Sequence, residues 1–349
     1  MRTDERDRDE ESRAMSRKTK ADAPPENTPV AALKTIYRRA AIIREAEKAL
    51  QQLFLDGRVP GFLHLSIGQE AVASAVSEFL TPGDTVSSNH RGHGHTLAKG
   101  VDLTGFFAEI LGRATGICGG RGGSMHVADL GLGMLGANGI VGAGLPITTG
   151  SALALKARGK GEIAVVYFGD GALAEGLVHE CLNIASLWSL PVLFCCENNG
   201  WSEFSPTERQ LAVRLKDLAG AFNIAYAEAD GNDMLAMHDA ARDATARMRS
   251  ECIPFVLECR TTRVRGHYEG DKQDYRPEGE AEEMSARDPL AIGRRLLAGF
   301  GVSPDWIAAT KAEVKAANEA ALEAALAAPL PDVAGLLDDV YTPAEARHG

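Results

Sequence analysis

Two polar clusters in this chain have the residue types to hold a metal ion and a phosphate together. One is Gly169-Asp170-Gly171; the other is Asn198-Asn199, preceded by Glu197. Asp170 offers a hard carboxylate and Asn199 an amide oxygen. Mg²⁺ favours such donors and usually completes its shell with substrate phosphates, water or backbone carbonyls. Gly169 and Gly171 let the chain turn tightly and bring backbone N–H groups close to an anion. Gly-Asp-Gly alone would equally suit an ordinary turn with an acidic helix cap. The Asn-Asn pair makes the bland reading hard to sustain only if the two clusters meet in space.

The flanking elements bring them together. Ile163–Phe168 is a continuous apolar run of the kind a sheet buries on both faces. Ala172 to Leu190 follows with helical spacing of Leu173, Leu177, Val178, Cys181, Leu182, Ala185 and Trp188, and Val192–Cys196 is a second apolar run. This pattern predicts a βαβ unit with parallel strands, both clusters lying at the carboxyl ends where open α/β sheets bind ligands. Elsewhere the patterning predicts helices over Val30–Leu55, Gln69–Leu80, Leu103–Leu111, Leu145–Lys156, Met234–Arg249 and Pro304–Ala328, and a strand over Pro254–Cys259. Residues 87–144, outside the Leu103 helix, are glycine-rich and read as long ligand-facing loops, and Gly266–Asp288 as a polar loop.

Composition narrows the class. The chain has 349 residues, 45% hydrophobic and 24% charged, with a net charge of −11. These values suit a soluble globular protein and disfavour nucleic-acid or anionic-membrane binding. No apolar run approaches the ~20 residues of a membrane span. The six cysteines form no CxxC pair and read as buried, reduced thiols of a cytoplasmic protein. Residues 1–29 alternate Arg, Asp, Glu and Lys and read as a disordered charged tail, Met15 offering a possible shorter start. The domain is expected over 30–328, with 329–349 as a C-terminal tail.

Other motifs compete for a role. Gly131-Leu-Gly133-Met-Leu-Gly136 fits the dinucleotide fingerprint, but no buried strand precedes it, and Lys156 and Arg158 stand about 20 residues on, where a ribose-binding acid belongs. His90, His93 and His95 suggest zinc, yet no further Cys or His pairing accompanies them. Arg91 among them is a fixed cation with a fork of donors, and a diphosphate fits the group better. His238 and His348 read as solvated.

With these motifs in view, the chain from about Ile36 to Ala328 resembles the α subunits of two-component 2-oxo acid dehydrogenases, the pyruvate, branched-chain and acetoin group. Carrying the resemblance are Gly169-Asp-Gly through Glu197-Asn-Asn-Gly-Trp201, His64-Leu-Ser-Ile-Gly-Gln-Glu70, His90-Arg-Gly-His93, Gly119-Gly-Arg-Gly-Gly-Ser-Met-His126, Gly136-Ala-Asn-Gly-Ile-Val-Gly142 and Arg265-Gly-His267. It implies a three-layer α/β/α fold with a mostly parallel sheet, binding thiamin diphosphate with Mg²⁺. It also assigns residues. His90 and Arg91 would touch the diphosphate, although the family often has tyrosine at His90. Gly139 and Val141 would meet the aminopyrimidine through backbone carbonyls. Gly169, Asp170, Gly171, Ala172 and Asn199 would hold the cofactor, with Asp170, Asn199 and the Trp201 carbonyl on the metal. His64, His93 and His267 would face the reacting centre, His267 also touching phosphate.

The resemblance further implies the reaction. The cofactor's ylid adds to a carbonyl, an adjacent C–C bond breaks, and the acyl group passes to a lipoyl-bearing acyltransferase (E2). Only the diphosphate-binding half is visible, so a β subunit is expected in an α₂β₂ assembly. Acetoin and pyruvate are the favoured small-molecule substrates, a branched-chain 2-oxo acid the alternative. A non-catalytic assembly subunit and a Mg²⁺-nucleotide binder are rivals from other classes. No serine lies between Arg263 and Met284, which disfavours control by loop-serine phosphorylation.

Overall fold

A computed structural model describes residues 30–335 and 337. Its centre is a six-stranded parallel sheet. In chain order the strands are β1 (Thr85–Ser87), β2 (Met134–Gly136), β3 (Ala164–Gly169), β4 (Val192–Asn198), β7 (Ala225–Asp230) and β8 (Phe255–Arg260); β5 (Trp201–Ser202) and β6 (Ser205–Pro206) form a separate antiparallel hairpin. The order across the sheet is β2-β1-β3-β4-β8-β7. The helices are α1 (Val30–Leu55), α2 (Glu70–Val76), α3 (His93–Lys99), α4 (Leu103–Ile110), α5 (Gly144–Arg158), α6 (Gly176–Leu187), α7 (Leu215–Ala221), α8 (Met234–Glu251), α9 (Glu280–Ala286), α10 (Pro289–Gly299) and α11 (Pro304–Ala327).

The apolar strand runs are explained by cover on both faces. Strand side chains alternate between faces. Val165, Tyr167, Leu193, Cys195, Leu257 and Cys259 join one core with residues of α1, α2, α4 and α8, while Ala164, Val166, Phe168, Val192, Phe194, Cys196 and Val256 join a second with α5, α6 and α7. The fold is therefore three-layered, α/β/α. Helix α11 returns across α1 and α4, and Ala114 N–H donates to the Pro329 carbonyl at 2.9 Å, so chain beyond α11 lies against the loop after α4.

The structure departs from the sequence reading in places. The helix expected from Ala172 begins at Gly176, after a 3₁₀ turn over Asp170–Ala174. Two glycines bracket this turn, and glycine is a poor helix former. Residues 87–144 hold β2 and α3 as well as loops, and α9 interrupts the loop after His267. All six cysteines are free, but Cys118 and Cys252 are only half-buried. His238 is buried against the Phe79 ring, its Nδ1 3.0 Å from Asp239, and is not solvated. His348 and residues 1–29 lie outside the described residues. Among those described, no helix is long and apolar enough to cross a membrane.

Candidate active site

The loops following β1, β2, β3, β4 and β8 surround a cavity of about 270 Å³ at the carboxyl edge of the sheet. β3 and β4 are neighbours paired from Ala164↔Val192 to Gly169↔Glu197, so the two polar clusters of the sequence end side by side. Asp170 is 2% exposed. One of its carboxylate oxygens accepts the Asn199 N–H at 3.3 Å, and the other accepts the Thr207 hydroxyl. The β5–β6 hairpin, entered through Gly200 at φ +79°, delivers that hydroxyl. Burial raises the Asp170 carboxyl to about 6, against an ordinary 3.8, the Thr207 hydrogen bond offsetting part of the effect. A buried carboxylate without an ion-pair partner is a group awaiting a cation.

Asn199 stands beside it, its amide oxygen accepting the Trp201 N–H at 3.1 Å and its amide nitrogen donating to Gln69 at 3.3 Å. The Trp201 ring is turned away, its Nε1 donating to Glu280 at 2.8 Å, which leaves the backbone as its link to the site. Carboxylate, amide and carbonyl oxygens are the hard donors Mg²⁺ takes. Gly171 is required here, because a Cβ would meet the Ser202 Oγ at 2.6 Å. A Cβ on Gly169 would instead enter open space at the cavity wall.

Two arginines line the same cavity. Arg91 is buried, donating to the Leu65 carbonyl at 2.6 Å and the His267 carbonyl at 2.9 Å. Arg263 is buried too, donating to the Glu203 carbonyl at 3.1 Å and the Tyr275 hydroxyl at 3.0 Å, while its Nε has no partner. Among the described residues neither guanidinium has a carboxylate within ion-pair distance. Burial first, and Arg263 second, bring Arg91 down to about 9; burial also lowers Arg263. Two buried cations without counter-ions are the complement of a polyanion. Together with the cation-free Asp170 they fit a metal–diphosphate group.

Three histidines cap this arrangement. The ring centroids of His64, His90 and His267 lie 4.9 Å (64–90), 5.2 Å (64–267) and 5.5 Å (90–267) apart. Burial, then Arg91, lower His64 to about 3 and His267 to about 4, and hold His90 well below its ordinary range. All three are neutral imidazoles at neutral pH in the ligand-free chain. The Nδ1 atoms of His64 and His267 are buried without partners. The His267 loop is tied down: Asp271 accepts the His267 N–H at 2.7 Å and the Tyr275 hydroxyl at 2.7 Å, and Arg276 donates to the Arg263 carbonyl at 2.8 Å.

Of the sequence-assigned residues, His64, His90, Arg91, Gly139, Val141, Gly169, Asp170, Gly171, Ala172, Asn199, Trp201 and His267 all line the cavity. His93 does not. It is buried behind the wall, its Nδ1 3.2 Å from Glu47 and its Nε2 2.9 Å from the Ser124 Oγ. Its neighbour in the motif, His95, sits between Ser88 at 2.7 Å and the cavity residue Glu197 at 3.2 Å. The three histidines of the motif thus point to three separate places. The Gly131–Gly136 segment forms a 3₁₀ turn leading into β2, with Gly133 at φ +75° against the Asp84 carbonyl, not a strand-to-helix turn.

Sequence reasoning missed Arg263 and Glu109. Buried Glu109 accepts the N–H groups of Cys118, Gly120, Gly122 and Gly123 at 2.7–3.1 Å and so shapes the glycine-rich loop leading to Met125 at the cavity. A glutamate inside an apolar helix, followed by a Gly-rich stretch, is the signal that was available.

Residues 38–334 match the family model "Dehydrogenase E1 component". The chain belongs to this family. Members depend on thiamin diphosphate. Over 312 residues the chain is 44% identical to the α subunit of acetoin:2,6-dichlorophenolindophenol oxidoreductase of Cupriavidus necator, covering 88% of this chain and 94% of that one. The Bacillus subtilis protein of the same name is 43% identical, with 89% and 93% covered. The pyruvate dehydrogenase E1 component α subunit of Rickettsia felis is 37% identical over 313 residues, with 87% and 94% covered. The chain is accordingly an oxidoreductase component of the E1 α type.

Proposed function

We propose that this chain binds thiamin diphosphate and Mg²⁺ in the cavity and, with a β subunit in an α₂β₂ assembly, cleaves the C–C bond beside the carbonyl of acetoin, passing the acyl group to a lipoyl-bearing acyltransferase in the cytoplasm. The observation that carries this reading is that a buried Asp170 without an ion-pair partner and two buried arginines without carboxylate partners line one small cavity.

When bound, thiamin diphosphate supplies the carbon nucleophile and the electron sink for cleavage. The chain's residues do the rest. Asp170, the Asn199 amide and the Trp201 carbonyl hold the metal, and Arg91 fixes the diphosphate with a donor fork already oriented by two carbonyls. Gly139 and Val141 present backbone to the ring system, and Gly169 leaves room for close approach. His64 and His267 are neutral, with free ring nitrogens, so they hydrogen-bond the substrate oxygen and hold its proton. His93 acts from behind, holding Ser124 and hence Met125 at the wall.

Acetoin is placed before pyruvate because the acetoin-named relatives are the more similar of those compared, at 44% and 43% against at most 39%. The test is co-expression with the β subunit and measurement of reduction of an artificial electron acceptor, dependent on thiamin diphosphate and Mg²⁺. Turnover of acetoin above pyruvate supports the reading. Preference for pyruvate overturns the substrate assignment, and equal activity without the β subunit overturns the assembly.

A further inference from the structure

Glu47, on α1, is wholly buried and does not line the cavity. Its Oε1 accepts two hydrogen bonds, from the Ser66 N–H at 2.7 Å and from His93 Nδ1 at 3.2 Å, while its Oε2 is buried without a partner. Among the described residues no lysine or arginine stands within ion-pair distance of it, and His93 is its one titratable neighbour at that range. Arg44, one turn earlier on the same helix, pairs instead with Glu70 and with Asp288. A buried carboxylate without a cation is unfavourable for folding. Its presence calls for a reason other than stability.

The two groups that Glu47 joins belong to two walls of the cavity. Ser66 follows His64 by two residues, in the stretch between α1 and α2. The carbonyls of that stretch are held by other elements: Leu63 accepts from the Glu269 N–H at 2.8 Å, Leu65 from Arg91 at 2.6 Å and Ile67 from the Val264 N–H at 3.0 Å. The Ser66 N–H is tied to α1 through Glu47. On the other side, His93 Nε2 meets the Ser124 Oγ at 2.9 Å, next to the cavity residue Met125. Because a carboxylate only accepts, His93 carries its proton on Nδ1 and takes the Ser124 hydroxyl's hydrogen bond on Nε2. Carboxylate, imidazole and hydroxyl in series have the composition of a nucleophilic triad. Ser124, however, is buried and does not line the cavity, so the series transmits position rather than attack.

We propose that Glu47 is a positioning residue, one carboxylate oxygen fixing His64 in register with the Met125 wall. This rests on the role of His64 proposed above.

The test uses the chain assembled with its β subunit. It combines steady-state kinetics, on whichever of acetoin and pyruvate is turned over, with hydrogen exchange of the ligand-free assembly in peptides covering Ser66. E47Q keeps an acceptor oxygen and is expected to hold kcat within about threefold of the wild type and to leave exchange unchanged. E47L fills the space without an acceptor and is expected to lower kcat about 10- to 100-fold with KM little changed. Its Ser66 amide should exchange about tenfold faster or more. With His64 already replaced in H64N, E47L should add no more than about a threefold loss, since the two residues act as a unit. An unchanged kcat in E47L, full additivity of E47L with H64N, or a loss in E47Q equal to that in E47L overturns the inference. If E47L does not assemble, E47M takes its place; failure of both while E47Q assembles assigns Glu47 to folding and also overturns it. H64N as active as the wild type overturns the role of His64, and a wild-type assembly that turns over neither substrate overturns the proposed function. Either result takes this inference with it.

Discussion

Replacing Asp170 by Asn separates what the carboxylate does for a metal from what it costs without one. Burial raises this carboxyl from 3.8 to about 6 in the ligand-free chain. A raised carboxyl contributes stability below its unfolded value and loses it as pH rises through the folded one. The ligand-free protein should therefore lose stability between pH 3.8 and about 6, by about 3 kcal/mol, and change no further from this source above pH 7. For a domain of this size that is about 5 °C in melting midpoint. The amide of D170N is isosteric, cannot ionise, and still accepts from Thr207 or Asn199. Without metal, D170N should thus be the more stable protein at pH 7.5 and its equal near pH 4. Mg²⁺ with thiamin diphosphate should reverse the order, since only the carboxylate gains a cation. The assay is thermal unfolding of both proteins across this pH range, with and without the ligands. Parallel pH profiles in the ligand-free state would refute the reasoning, as would equal stabilisation of both proteins by Mg²⁺ and thiamin diphosphate.

Two further substitutions probe the walls of the site. G171A places a Cβ 2.6 Å from the Ser202 Oγ and 3.0 Å from the Ser202 Cβ, so the β5–β6 hairpin must shift; affinity for thiamin diphosphate should fall about tenfold on loss of aligned contacts, and S202G in the same chain should restore most of it. E109Q turns one of the two carboxylate oxygens into an amide donor, so two of the four backbone N–H groups face a donor in place of their acceptor; the cost should be about 2–4 kcal/mol, read in chemical denaturation, with new protease cleavage in the Gly119–Met125 loop.

How far the sequence foretold this molecule depended on signal length. Helix α1 appears at its expected Val30–Leu55 boundaries because 26 residues carry many turns of a 3.6-residue period. Strands β1 and β2 have three residues each, too few for any period; β2 was absorbed into the glycine-rich stretch, and β1 lies at its edge. β7, Ala-Tyr-Ala-Glu-Ala-Asp, is an edge strand whose exposed Glu228 and Asp230 mask its apolar alternation. Motif residues were legible because chemistry restricts their type: Asp170, Asn199, Arg91 and His267 converge as the pattern required. A motif gives spacing along the chain and not direction: the first turn of α3 swings His93 toward Glu47 while His90, before the helix, faces the cavity. Arg263 was invisible for the opposite reason. In Thr-Arg263-Val-Arg265 nothing local distinguishes the arginine that stays unpaired from the one that finds Glu269.

The central claim is that Asp170 and Asn199 hold the cation of a thiamin diphosphate laid against Arg91. Its most direct test is a crystal structure of the chain with its β subunit, thiamin diphosphate and Mn²⁺ in place of Mg²⁺, with anomalous differences recorded at the manganese edge. The account predicts one anomalous peak bridging the Asp170 carboxylate, the Asn199 amide oxygen and the diphosphate, with Arg91 on the phosphoryl oxygens. A peak elsewhere, or cofactor density without contact to Asp170 and Arg91, would contradict it.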